Sequence, residues 1–299
     1  MTGLSESNEK HEVISKHREQ RWLIIGGLAI IALLVVLFGG NYIPKDIPSA
    51  TETPTPAIGS TMVSKKDGMI LVFVPAGEFT MGSDSGEQDE MPAHTVSLDA
   101  FWIDQTEVTN AMYAKCVADG AACVPPSAER SDKRDNYYGI SEFDNYPVVY
   151  VNWDQAKVYC LWAERRLPTE AEWEKAARGT DGRIYPWGNE SPNANFLNYK
   201  AVVGDVTEGG KYPSGASIYG AYDMAGNVLE WVNDWYGETY YKDSPASNPL
   251  GPDIDVFRVY RGGSWNSDSN SVRSAYRYGS GPSGTSDELG FRCTRGTSS

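Results

Sequence analysis

The sequence predicts an α+β globule, low in regular secondary structure and preceded by one membrane-spanning helix. Three observations carry this. Thirty glycines and seventeen prolines stand among 299 residues, and both residue types interrupt helices and strands. Only three segments carry a helical signal, and they lie among short strand patterns. Finally, Trp22 to Gly40 reads WLIIGGLAIIALLVVLFGG, without one charge. The chain is 40% hydrophobic and 12% aromatic, enough for a sizeable core, so wholesale disorder is not expected.

The elements follow in order. Nineteen residues at helical rise span about 28 Å, close to the hydrocarbon thickness of a bilayer. Lys16, Arg18 and Arg21 precede the run and only Lys45, beside Asp46, follows it. This bias leaves residues 1–21 as a cytoplasmic tail, 22–43 as the membrane segment and the rest outside the cytoplasm. A cleaved signal peptide is the alternative. The run exceeds the usual h-region, and no A-x-A site follows closely. Residues 44–66 are rich in Pro, Thr and Ser and read as an extended spacer. The globule is expected over 67–299.

Within it, MILVFVPAGEFTMG (69–82) reads as two short strands around Pro75-Ala76-Gly77, and HTVSLDAFWID (94–104) as another. Val108, Met112, Cys116 and Val117 mark a helix over 107–118. Ala156, Tyr159, Cys160 and Ala163 mark a second over 153–164, after the cap candidate Asn152. Thr169-Glu170-Ala171-Glu172 is a capping box that opens a third over 169–178, with Trp173, Ala176 and Ala177 as its buried face and Gly179 as its stop. Beyond 180 the helical period disappears. Loops of that length need disulfides, bound cations or buried tryptophans to hold them.

Net charge is −14 at pH 7. Residues 1–44 sum to zero, so the whole excess lies on 45–299. Such a surface repels phosphate backbones, which argues against nucleic acid as a partner. Four cysteines, Cys116, Cys123, Cys160 and Cys293, all follow the membrane run. An even count in an exported domain suggests two disulfides. Cys116 and Cys123, seven apart, are a plausible local clip, which leaves Cys160 with Cys293; four reduced, buried thiols are the alternative.

His94 is the globule's only histidine and lies in a strand pattern, so it reads as structural. There is no G-x-S-x-G and no Walker A. Gly279 to Gly284 matches G-x-G-x-x-G by letters, but Pro282 interrupts it and no helix follows, so it reads as a loop. In Asp223-Met224-Ala225-Gly226-Asn227-Val228-Leu229-Glu230 two carboxylates flank a glycine. Calcium takes carboxylates together with backbone carbonyls from a bent segment, so this stretch is a candidate cation loop; a solvated loop is the alternative.

RLPTEAEWEKAARG (166–179), YPWGN (185–189), YGAYDMAGNVLEW (219–231), RVYRGGSW (258–265) and LGFRC (289–293), with VPAGEFTMGS and PVVYVNWDQAKVYCLW before them, resemble blocks of the formylglycine-generating enzyme, or sulfatase-modifying-factor, family. The resemblance covers 69–293. It implies a C-type-lectin-like variant fold and a Cys160–Cys293 disulfide. It also implies two calcium sites. One would use Asn195, the carbonyl of Phe196, Asp205 and the carbonyl of Thr207. The other would use Asp223, the carbonyls of Gly226 and Val228, and Glu230.

Family enzymes oxidise a sulfatase cysteine to formylglycine on a copper(I) held by two thiolates after the GGS-aromatic motif. The matching positions here are Ser267 and Val272, and no cysteine stands anywhere from 161 to 292. Ser264 is kept, while the family's GNVWEW tryptophan is Leu229. The resemblance therefore implies the scaffold without the copper site. The expected function is a membrane-anchored, extracytoplasmic binding or scaffolding module for a polypeptide or other ligand outside the cytoplasm, with calcium as structural cofactor. Its expected ligand surface is Trp265, Asn266, Asp268, Asn270, Arg273, Tyr276 and Arg277. A sulfatase-directed oxidase with other ligands is the alternative, and a cell-envelope structural protein a third.

Overall fold

The computed structural model describes residues 56–120, 122–129 and 133–297. The expected tail and membrane segment lie outside the described residues. Among the described residues no helix is long and apolar enough to cross a membrane. Thr55–Ser299 forms one compact unit.

Among the described residues, ten strands and three α-helices build it: β1 (Thr61–Val63), β2 (Ile70–Val74), β3 (Gly77–Met81), β4 (His94–Leu98), β5 (Phe101–Asp104), α1 (Asn110–Ala118), α2 (Trp153–Trp162), α3 (Glu170–Arg178), β6 (Leu229–Trp235), β7 (Arg258–Arg261), β8 (Tyr278–Ser280), β9 (Leu289–Phe291) and β10 (Thr294–Gly296). They form a sheet of order β1-β2-β5-β10, a β3-β4 hairpin and a sheet of order β8-β7-β6-β9, in which β6 and β9 are parallel. The mixed α and β content, with few helices, agrees with the expected class.

The first sheet explains why ILVFV and FWID carry no polar alternation. Leu71, Phe73 and Trp102 point into one core, with Tyr113, Tyr159 and Trp231. Val72, Val74, Phe101 and Ile103 point into another, with Trp173 and Val232. A strand buried on both faces is apolar throughout. The turn Pro75-Ala76-Gly77 therefore does not close a hairpin. It hands the chain from β2, paired with β5, to β3, paired with β4. The single strand expected over 94–104 likewise breaks at Asp99-Ala100, because its two halves serve different sheets. The expected spacer loses its last residues to β1, whose Thr61 to Val63 pair with Val72 to Ile70. The partner strand orders them, which local composition cannot show.

All three helices form. α1 starts at Asn110, three residues later than expected, because the Thr109 side chain caps it and the Val108 N–H is already spent on the Phe291 carbonyl. Asn152 and Gln155 make a capping box on α2, and Thr169 and Glu172 make one on α3. Gly179 ends α3 at φ 69°. Both disulfides are present, Cys116–Cys123 and Cys160–Cys293, the second closing a separation of 133 residues. His94 packs edge-on against Tyr241 at 4.8 Å, as a structural histidine should.

Candidate functional site

The region after β7 is built by close approach. Gly263 sits at φ 71°, and a Cβ there would stand 2.8 Å from Val272 Cγ1 and 2.9 Å from the Ser271 carbonyl. Only glycine lets the turn fold back this tightly. The result brings Ser264, Ser267 and Val272 together. The Ser264 N–H donates to Ser267 Oγ at 2.9 Å, and the two hydroxyl oxygens are 3.2 Å apart. Ser264 Oγ also donates to the Glu288 carboxylate, whose other oxygen accepts from Asn266 Nδ2 at 3.3 Å. Val272 is fully buried against Tyr185, Leu197, Tyr199 and Ala225. Beside this nest runs an aromatic ladder. Trp231 meets Tyr260 at 5.6 Å, Tyr260 stacks on Tyr278 at 5.3 Å, and Tyr278 meets Tyr276 at 4.8 Å.

Of the expected ligand surface, Asn266, Asp268 and Asn270 are exposed and Tyr276 is half-buried. The others correct the expectation. Arg277 is buried with both its Nε and Nη2 on Glu170. Arg273 is bidentate on buried Glu90, at 2.8 and 2.6 Å. Trp265 is buried beside Tyr137, Val206 and Val228. A serine- and arginine-rich stretch reads as a polar surface, but the two arginines turn to acidic partners far away in sequence. Asp268 takes the N–H groups of Asn270 and Ser271 at 3.0 and 2.9 Å and holds its own turn. Those bonds hold its carboxyl below the usual range.

The residues of the first expected calcium set are otherwise engaged in this structure. Asp205, its only carboxylate, is paired with Arg134 at 3.0 Å and accepts the Val206 N–H at 2.7 Å. The Thr207 carbonyl takes Asn227 Nδ2 at 3.3 Å, and Asn195 is exposed.

The second set is different. Gly226 sits at φ 75°, where a Cβ would stand 2.3 Å from the Asn198 carbonyl, so the bend requires glycine. Asp223 is buried and accepts the Gly210 N–H at 2.6 Å. Glu230, expected on a cation, instead receives Arg292 through Nε at 2.7 Å and Nη2 at 2.6 Å, and Trp173 Nε1 at 2.8 Å. Glu107 joins the cluster. It takes Asn227 Nδ2 at 3.0 Å on one oxygen and leaves the other buried without a partner. Burial, then the nearby Asp223 charge, pushes Glu107 well above the usual carboxylate range. Burial raises Asp223 to about 6, against the opposing Gly210 N–H and Arg292. Three carboxyl groups thus face one arginine, and oxygen donors suit a hard cation. Among the described residues, no group of three or more His, Cys, Asp or Glu side chains is arranged to hold a metal ion by itself.

Neither Glu107 nor Glu288 was legible from local pattern. Glu107 falls at the start of the stretch expected as a helix and Glu288 in a loop, and each reaches its partner only across the fold. At the two positions that the resemblance assigns to copper, a hydroxyl engaged with Ser264 and a buried isopropyl group offer no soft donor to Cu(I).

Comparison with known proteins agrees with this geometry. Residues 57–297 match the sulfatase-modifying factor enzyme 1-like domain. The chain is 36% identical to the formylglycine-generating enzyme of Streptomyces coelicolor, covering 82% of this chain and 94% of the relative. It is 34% identical to the inactive C-alpha-formylglycine-generating enzyme 2 of Mus musculus, over 75% of this chain and 84% of the relative. It is 38% identical to the serine/threonine-protein kinase Pkn1 of Chlamydia trachomatis, over 75% of this chain but only 38% of that relative's length. Among solved structures, PvdO from Pseudomonas aeruginosa superposes with a TM-score of 0.69 at 28% identity, covering 81% of this chain and all of the other. The chain therefore belongs to the sulfatase-modifying factor family, the family of the formylglycine-generating enzymes.

Proposed function

We propose that the protein is a non-oxidase binding or scaffolding module, anchored in the membrane by residues 22–40 with its domain outside the cytoplasm. The observation that carries this is the pair Ser267 and Val272. One side chain is spent on the Ser264 hydroxyl nest and the other is part of an apolar cluster. Copper chemistry of the family kind has no ligands at these positions. What remains at the surface is adaptable polar contact: Asn266, Asp268 and Asn270, with the Tyr276 end of the aromatic ladder beside them. Aromatic anchors among small polar residues suit a polypeptide or similarly mixed ligand.

Calcium is part of the reading. Asp223 and the carbonyls of Gly226 and Val228 would hold it. Its charge would offset that of Asp223, Glu107 and Glu230, leaving Arg292 to orient Glu230.

The test is aerobic incubation of the protein with a cysteine-containing sulfatase-motif peptide and Cu(I), read by mass. No conversion and no tight Cu(I) binding are expected. Ser267→Cys with Val272→Cys should raise Cu(I) affinity and serves as the positive control. Copper-dependent conversion by the unmodified protein would overturn the proposal in favour of an oxidase.

A further inference from the structure

The cationic edge where the chain enters the globule has no part in the site above. A groove of about 560 Å³ opens there, with Met62, Leu71 and Ala163 as apolar lining and Lys65, Lys66 and Arg295 as basic lining. A second hollow of about 460 Å³ shares Lys65 and Lys66 and adds Lys115 and Trp162. Lys115 is held in place, its Nζ donating to the Asp67 carbonyl at 2.6 Å. Lys66 Nζ lies 5.7 Å from the Trp162 ring centroid. The acidic neighbours are Glu164 and Asp119, and Asp119 accepts the Trp162 indole N–H at 2.8 Å. Flanking apolar side chains stay in water: Val63 is 66% exposed and Leu161 59%. On a chain of net charge −14, a basic and apolar patch of this kind stands out by sign.

We infer that this edge, built by Lys65, Lys66 and Lys115 around the Met62–Leu71 groove, docks on a bilayer surface bearing anionic phospholipid. Lys65 and Lys66 are the last two residues of the spacer, and Lys65 stands 25 positions after the apolar run ends at Gly40. The inference rests on the reading that residues 22–40 anchor the chain, which would keep this edge within reach of the headgroups. Lysine ammoniums pair with phosphates, Trp162 suits the interface, and Val63 and Leu161 suit the boundary with the acyl chains. The net charge of −14 opposes approach of the globule to anionic lipid, and this edge offers a face of the opposite sign. Docking would hold the polar ligand surface at a fixed attitude to the membrane.

The compact unit 55–299 contains every described core cluster and both disulfides, so it is the form to test. It is titrated with phosphatidylcholine vesicles and with vesicles in which a third of the lipid is phosphatidylglycerol. Partition onto the anionic vesicles alone is expected, weakening as salt shortens the screening length. Each lysine near such a surface contributes roughly fivefold, so Lys65→Gln with Lys66→Gln should lower partition roughly 25-fold. Lys65→Arg with Lys66→Arg should retain it. No partition of the wild type at low salt, equal partition of the glutamine variant, or binding of an acidic peptide in place of vesicles would each overturn the inference. Failure of the anchoring reading is separately visible: carbonate-washed membranes from cells making the full chain report on residues 22–40 and are unaffected by the lysine changes.

Discussion

Asp104→Asn separates a buried charge from its structural hydrogen bond. Asp104 is fully buried on β5. Its Oδ2 accepts the Cys293 N–H at 2.9 Å, and its Oδ1 lies 3.4 Å from Arg165. Arg165 is shared with Asp67, which it meets more closely and which also takes the Tyr159 hydroxyl at 2.6 Å. One guanidinium thus serves two carboxylates. Burial pushes Asp104 up to about 7, against the opposing pull of Arg165. The folded state then holds a proton that the unfolded chain releases above its ordinary value of 3.8. Stability must therefore fall as pH rises through this window, and the loss is complete above about 7. A shift of this size, at about 1.4 kcal/mol per unit, sets an upper limit of about 4 kcal/mol. Asparagine keeps the shape and still accepts from Cys293 without ionising. The assay is denaturant unfolding of both proteins, disulfides intact, from pH 4 to pH 8.5. The quantity read is the stability difference, because Glu107 and Asp223 titrate in both. The variant should gain on the wild type by up to about 4 kcal/mol as pH rises. A difference independent of pH would refute the reasoning.

Two further predictions follow from the same core. Glu230→Gln removes the carboxylate that holds buried Arg292 through both Nε and Nη2 and should cost about 3–5 kcal/mol, with or without calcium. Millimolar calcium should still raise the wild-type melting temperature relative to chelator, and identical wild-type curves would remove calcium from the reading. Cys160→Ser opens the long loop closed by Cys293, for which the chain-entropy account gives about 4–5 kcal/mol; a melting temperature unchanged from the wild type would contradict it.

Local chemistry determined what short range can determine. The capping boxes at Asn152 and Thr169, the stop at Gly179 and the clip between cysteines seven apart all involve atoms within one or two turns of chain, so residue type and spacing were enough. The motif blocks carried the family. Tertiary structure decided the rest. Whether Arg277 faces ligand or Glu170 depends on a carboxylate 107 residues away. Glu230, expected on a cation, meets Arg292 across the parallel β6–β9 pair. Leu71 and Val72 are chemically alike, yet they enter different cores because the first sheet is covered on both faces. Beyond residue 180, where helical signals cease, the chain is held by a sheet and buried arginine–carboxylate pairs. A charged side chain looks like surface in sequence because water is its cheapest partner; only the fold can bring the opposite charge that lets it be buried.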